Sequence, residues 1–123
     1  MEFLAEWLPR LGAVFTIILG LVGFFRPQLI TDAQQITLGS PMAFSEARVV
    51  FGGLHLGGGL MALILHEPLI YMTLGVAWVF GLLARFYSMK ADQTSLKQSI
   101  PGSVVDATMA VLLLRPMYCV TNA

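Results

Sequence analysis

Four long apolar segments, separated by shorter polar connections, constrain what this chain can fold into. They cover approximately residues 11–25, 49–65, 69–84 and 103–120. Hydrophobic residues make up 57% of the chain and charged residues 11%, against roughly 25% charged residues in an ordinary soluble domain. A soluble domain of this size exposes much of its surface to water, and this chain lacks the polar residues for such a surface. The sequence therefore excludes a soluble globular protein and predicts an integral membrane protein.

The spacing of the segments predicts an all-α fold, a bundle of four short antiparallel transmembrane helices in a single membrane domain, residues 1–123. We expect helices over about residues 9–26, 47–66, 68–89 and 101–120. Their apolar cores are shorter than the roughly 20 residues of a standard crossing. Flanking arginine side chains can snorkel and extend the apolar length. The connection between Pro27 and Ala47 contains apolar residues and is expected to lie in the membrane interface.

Lysine and arginine are unevenly distributed between the two sides of the predicted bundle. One side carries two, Arg10 and Arg115, and the other carries five, Arg26, Arg48, Arg85, Lys90 and Lys97. Loops rich in lysine and arginine usually stay in the cytoplasm. The distribution therefore predicts a multi-pass protein with both termini outside, which in a bacterial inner membrane means periplasmic.

Cysteine, histidine and overall charge exclude several classes of function. Cys119 is the only cysteine, so neither an intrachain disulfide nor a thiolate metal cluster can form. His55 and His66 are the only histidines, and we expect no metal and no cofactor. Seven basic residues balance seven acidic ones, which leaves no basic surface for nucleic acid.

Small residues recur at helical spacing on the first two segments. They include Gly12 and Gly20 on the first segment, and Gly52, Gly53 and Gly57 on the second. Because lipid provides little hydrophobic drive for helix association, close approach of backbones over small residues supplies van der Waals contact instead. These glycines predict helix packing, either inside the bundle or at a homodimer seam.

Charged and polar residues inside the apolar segments form the candidate site. Alternating helix direction places five of them in one half of the membrane: Glu46, Arg48, His55, Arg85 and Asp106. Arg85 and Asp106 lie at similar distances from the loop that joins their helices. An ion pair between them is expected, since an unpaired charge in the membrane costs several kcal/mol.

Three interpretations of this charge cluster remain open. The charges can pair with one another and fix the helix arrangement. They can also line a pocket for an anionic or carbonyl-bearing amphiphile, such as a lipid head group or quinone, because the arginine fork suits phosphate, carboxylate and carbonyl oxygens. Catalysis would use His55 or Asp106 as acid or base, but the spacing gives no nucleophile with its base, so no catalytic residue is predicted.

The segment from Glu46 to Gly57 resembles the signature of a bacterial family of four-helix membrane proteins of unknown function, similar to the small DoxX-like membrane proteins. The shared pattern is a Glu-x-Arg entry, a Gly-Gly pair, an arginine closing helix three and an acidic residue in helix four. Those places are occupied by Glu46, Arg48, Gly52, Gly53, Arg85 and Asp106. The resemblance implies the four-helix fold, a bacterial inner membrane and a role for the charges, but no activity.

Size and short loops favour a non-catalytic role, as an accessory subunit of a membrane complex or as a binder of lipid or quinone. Expected partners are membrane lipids and other membrane subunits or a second copy. A membrane enzyme acting on a lipophilic substrate is the alternative. A small four-helix transporter is disfavoured, because that class uses a carboxylate in helix one and none lies between Leu11 and Phe25.

Overall fold

The computed structural model describes the backbone of residues 2–122 and the side chains of residues 6–114. These residues form five helices: α1 (Glu2–Phe25), α2 (Pro27–Ala33), α3 (Pro41–Leu65), α4 (Pro68–Ala91) and α5 (Leu96–Asn122). The α3 helix has three continuous parts, α-helical Pro41–Ala47, π-helical Arg48–Gly53 and α-helical Leu54–Leu65. The all-α prediction is confirmed. Predictions that involve the side chains of Arg115 and Cys119 lie outside the described residues.

The α3 and α5 helices begin earlier than predicted because their caps lie in the polar flanks rather than at the apolar onset, whereas α4 begins at residue 68, where it is predicted. The α3 helix begins at Pro41, after Ser40 accepts a hydrogen bond from the Ala43 N–H at 3.1 Å. At the start of α5, Ser95 and Gln98 exchange side-chain-to-backbone hydrogen bonds, which is a capping box. Three helices begin with a proline: Pro27, Pro41 and Pro68. Proline is well tolerated there, because the N–H groups of the first helical turn have no partner within the helix.

Three helices are long and apolar enough to cross a membrane: α1 over Glu6–Phe25, the whole of α3, and α4. They leave many large apolar side chains exposed, for example Ile64 and Phe80. Exposed apolar surface on this scale is unfavourable in water but favourable in lipid, so the structure fits a membrane protein. The described part of α5 does not reach the same apolarity, so the predicted count of four crossings is not established.

The chain divides into two compact units, residues 1–12 with 67–123, and residues 13–66. In the first unit α4 and α5 pack antiparallel. Gly75 lies beside Leu114, and Arg85, near the end of α4, lies beside Gly102, near the start of α5. The face of α5 that carries Asp106 also buries Met109, Ala110 and Leu113.

In the second unit, the end of α1 packs antiparallel against α3 over small residues. A Cβ on Gly20 would meet the backbone of Leu56 at 2.5 Å, and one on Gly52 would meet the Phe24 nitrogen at the same distance. Further along, Gly59 faces Ala13 and Ile17. The helices approach this closely only because these positions have no side chain.

Candidate functional site

Arg85 and Asp106 form an ion pair between α4 and α5. The Arg85 Nε donates a hydrogen bond to the Asp106 Oδ2. The Asp106 side chain is 6% exposed and that of Arg85 is 32% exposed, so the acid is buried while part of the guanidinium reaches the surface. The structure thus contains the pair that the sequence predicts, at the depth set by the shared loop.

Gly102 creates the space in which this pair forms. It lies one helical turn before Asp106, and an added Cβ would collide with the guanidinium of Arg85. A side chain at position 102 would require the guanidinium to shift from this position. Gly102, on the same face of α5 as Asp106, therefore has a specific steric role.

Arg48 is the first residue of the π-helical part of α3, and its side chain caps the end of α1. Its Nη1 donates to the carbonyls of Phe24 at 2.5 Å and Phe25 at 3.3 Å. The last carbonyls of a helix have no partner within it. Pro27 follows shortly and has no N–H, so a donor from α3 satisfies them. Within residues 6–114, the hydrogen bonds of Arg48 come from Nη1 alone, and no carboxylate lies within ion-pair distance of it.

His55 stabilises the π-helical part of α3 locally. The Leu54 N–H donates to the carbonyl of Val49, five residues back, instead of that of Val50, four residues back. The carbonyl of Val50 therefore loses its usual backbone donor, and the His55 Nδ1 lies 2.8 Å from it. As a donor in the appropriate tautomer, the imidazole replaces the missing backbone hydrogen bond.

An open groove of about 290 Å³ lies beside the π-helical part of α3. Its walls are mainly apolar, and a single charged side chain, Arg48, lies among them. The lining residues are Phe24, Ser45, Arg48, Val49, Gly53 and Leu54. All of them belong to the second compact unit, so the groove is formed by α1 and α3 alone. A groove with apolar walls and one arginine can hold the apolar part of a molecule with its anionic or polar end at Arg48.

The five residues of the predicted charge cluster divide between the two units. Arg85 and Asp106 belong to the first, whereas Glu46, Arg48 and His55 belong to the second. The side chain of Glu46 is exposed and, among the described residues, forms no ion pair. A single pocket made by all five stays a prediction. The described residues contain no cluster of His, Cys, Asp and Glu able to hold a metal ion.

The predicted packing glycines have different surroundings. Gly20 and Gly52 lie against the backbones of α3 and α1, and Gly12 lies against Leu113 in the first unit. An added Cβ at Gly53 would lie 3.9 Å from the Arg48 carbonyl oxygen, and one at Gly57 would meet no described atom within 4 Å. At Gly52 the backbone of α1 fills the space that the missing side chain leaves.

The sequence does not predict the contact between Arg10 and Tyr71. Arg10 lies 3.5 Å from Glu6, stacks on the Trp7 ring at 4.8 Å, and hydrogen-bonds the side chain of Tyr71. Tyr71 is buried, only 2% exposed. Its position three residues after Pro68 gives no signal for this contact, since Arg10 lies far away in the sequence.

Comparison of this chain with protein-family models, curated proteins and solved structures finds no match. The resemblance to the DoxX-like membrane proteins therefore stays a prediction, and the function has to be argued from the geometry.

Proposed function

We propose that this chain is a non-catalytic membrane protein that binds an amphiphile in the groove between α1 and α3. The observation that carries the proposal is an apolar, open-sided groove beside Arg48, whose guanidinium donors are only partly used among residues 6–114. Apolar walls favour an acyl or isoprenoid chain. The remaining guanidinium donors of Arg48 favour a phosphate, carboxylate or carbonyl group at its end.

The contacts of the two acid–base candidates favour this role over catalysis. The Nδ1 of His55 is engaged by the carbonyl of Val50, and the carboxylate of Asp106 by Arg85. The two candidates also belong to different compact units. Both side chains have local structural roles. A binding function therefore explains the observed contacts better than a catalytic function does.

The four-crossing arrangement is part of the proposal. We take α5 as a fourth crossing, because its charge at Asp106 is matched by Arg85 and its buried face packs along α4. The excess of basic residues near Arg26 and Lys97 supports cytoplasmic loops and outward termini. The resemblance to bacterial proteins supports the inner membrane. Single cysteines introduced at Gly39 and at Gln93, with Cys119→Ser, should react only with membrane-permeant maleimides from outside intact cells.

The groove can be blocked without disturbing helix packing. Gly53 lines it, and a Cβ there would make only an ordinary contact, 3.9 Å from the Arg48 carbonyl. Gly53→Leu should therefore fill the groove while the protein still folds. Gly57→Leu is the matched control, since it adds the same side chain to an exposed position of α3 one turn away that does not line the groove.

Native mass spectrometry of the protein extracted gently from membranes measures the outcome. We expect the unsubstituted protein and Gly57→Leu to carry a bound amphiphile, and Gly53→Leu to lose it. Equal occupancy in all three proteins would contradict the proposal. Recovery of the chain only within a stoichiometric larger complex, without amphiphile, would instead support an accessory subunit.

A further inference from the structure

We propose that the occupant of the groove is an anionic phospholipid, held through its phosphate by Arg48 with Arg26 as a second cation. This inference rests on the proposed function and names the ligand class for that same groove. An anionic head group is proposed here in preference to the carbonyl of a quinone or the head group of a zwitterionic lipid.

An arginine of α3 contacts the end of α1, and a second arginine, which does not line the groove, directly follows that end in the chain. The Nη1 of Arg48 binds the carbonyl of Phe25, and Arg26 is the next residue. Both arginine side chains are exposed. The nearby acids are Asp32 on α2 and Glu46 on α3, but neither lines the groove, and within residues 6–114 neither lies within ion-pair distance of an arginine. An anionic ligand would supply the missing counter-charge.

The position of the arginines along the helices matches the level of lipid phosphates. The apolar span of α1 ends at Phe25, and Arg26 follows it directly. The long apolar run of α3 begins at Val49, directly after Arg48. Arg26 therefore directly follows an apolar span, and Arg48, whose Nη1 reaches the Phe25 carbonyl, lies at the same level, where arginine meets phosphate groups. A neutral carbonyl at this level would leave the charge of Arg48 without a counter-ion.

The open side of the groove favours a membrane lipid over an enclosed cofactor. Phe24, Val49 and Leu54 line the groove and are exposed, so a bound chain would touch them on one side and the surrounding membrane on the other. Ser45, three residues before Arg48, adds a hydroxyl at the polar end. The order along α3 is thus polar at Ser45 and Arg48, then apolar at Val49 and Leu54, as in a phospholipid.

The test measures head-group preference in mixed lipid. The protein is equilibrated with equal amounts of phosphatidylglycerol and phosphatidylcholine of the same acyl chains, and retained lipid is counted by native mass spectrometry. We expect about tenfold preference for phosphatidylglycerol, equivalent to about 1.4 kcal/mol. Arg48→Gln should reduce the preference towards parity, and Arg48→Lys should keep part of it, because lysine retains the charge but not the fork.

Arg48→Gln also removes a cap from α1, so Arg26→Gln provides the second variant. It leaves the hydrogen bonds from Arg48 to Phe24 and Phe25 in place and should lower the preference about threefold. Lys97→Gln is the control, since it removes an exposed positive charge from the other unit and should leave the preference unchanged.

The outcomes separate this inference from the proposed function. If both lipids were retained equally and both were lost in Gly53→Leu, the anionic assignment would be overturned, but the groove would remain a binding site. If the protein retained no amphiphile whose binding is lost in Gly53→Leu, both the anionic assignment and the proposed function would be overturned. Displacement of bound phosphatidylglycerol by inorganic phosphate alone would also overturn the inference, because the acyl chain would then contribute nothing.

Discussion

Replacement of Gly102 by alanine tests whether this glycine makes room for the Arg85–Asp106 pair. A Cβ at position 102 would collide with the guanidinium of Arg85. Loss of one partner from a buried pair costs about 3–5 kcal/mol. Because the Arg85 side chain is 32% exposed and can swing aside, we take a loss of about 2–3 kcal/mol, at or below the lower end of that range.

Alanine also favours the helix over glycine by about 1 kcal/mol, so Gly102→Ala should destabilise the protein by about 1–2 kcal/mol net. Gly81→Ala is the matched control. Gly81 is an exposed glycine inside α4, and an added Cβ would meet no described atom within 4 Å. That substitution should stabilise the protein by up to about 1 kcal/mol, which is its helix-propensity gain alone.

The decisive comparison repeats Gly102→Ala in an Arg85→Ala, Asp106→Asn background. There the guanidinium is gone and no buried charge is left alone, so the same substitution should behave like Gly81→Ala. Reversible unfolding in mixed micelles titrated with a denaturing detergent gives the free energies. If Gly102→Ala changed the free energy of unfolding equally in both backgrounds, the argument would be refuted. The effects of the substitutions must be non-additive if the alanine Cβ and the Arg85 guanidinium compete for the same space.

Three further predictions follow from the second unit and from α4. His55→Leu should remove the partner of the Val50 carbonyl and lower the free energy of unfolding by about 1–3 kcal/mol, with partial recovery in His55→Gln. Gly52→Ala should destabilise the same unit because of its backbone contact with α1, whereas Gly57→Ala should not, as thermal unfolding in micelles would show. Tyr71→Phe should lower the free energy of unfolding by about 1 kcal/mol through its lost hydrogen bond, and an unchanged value would contradict that contact.

Features that depend on chain direction and loop position could be predicted from the sequence. The Arg85–Asp106 pair is of this kind, because two helices joined by a short loop place residues equally far from it at equal depth. The small-residue face around Asp106 also follows directly from helical spacing. The role of Gly102 could not be predicted, since it depends on the path of the Arg85 side chain.

Features of α3 were harder to predict because its helix is not uniform. The π-helical part, Arg48–Gly53, adds a residue to one turn and changes the register assumed for the glycines after it. Gly52 and Gly59 are buried as a pair, whereas the GxxxG pair of Gly53 and Gly57 stays exposed. Spacing rules based on 3.6 residues per turn cannot locate such a change.

Three arginines, Arg10, Arg48 and Arg85, differ in how their charge is matched, and this difference supports the proposed ligand site. Arg85 has the carboxylate of Asp106, and Arg10 has the carboxylate of Glu6. Arg48 contacts only the carbonyl oxygens of a helix end, which carry about half an elementary charge in total. Within the described part of the chain, its charge is therefore only partly compensated. Because this arginine also lines the groove, an anion bound there would complete the compensation that the other two arginines already have.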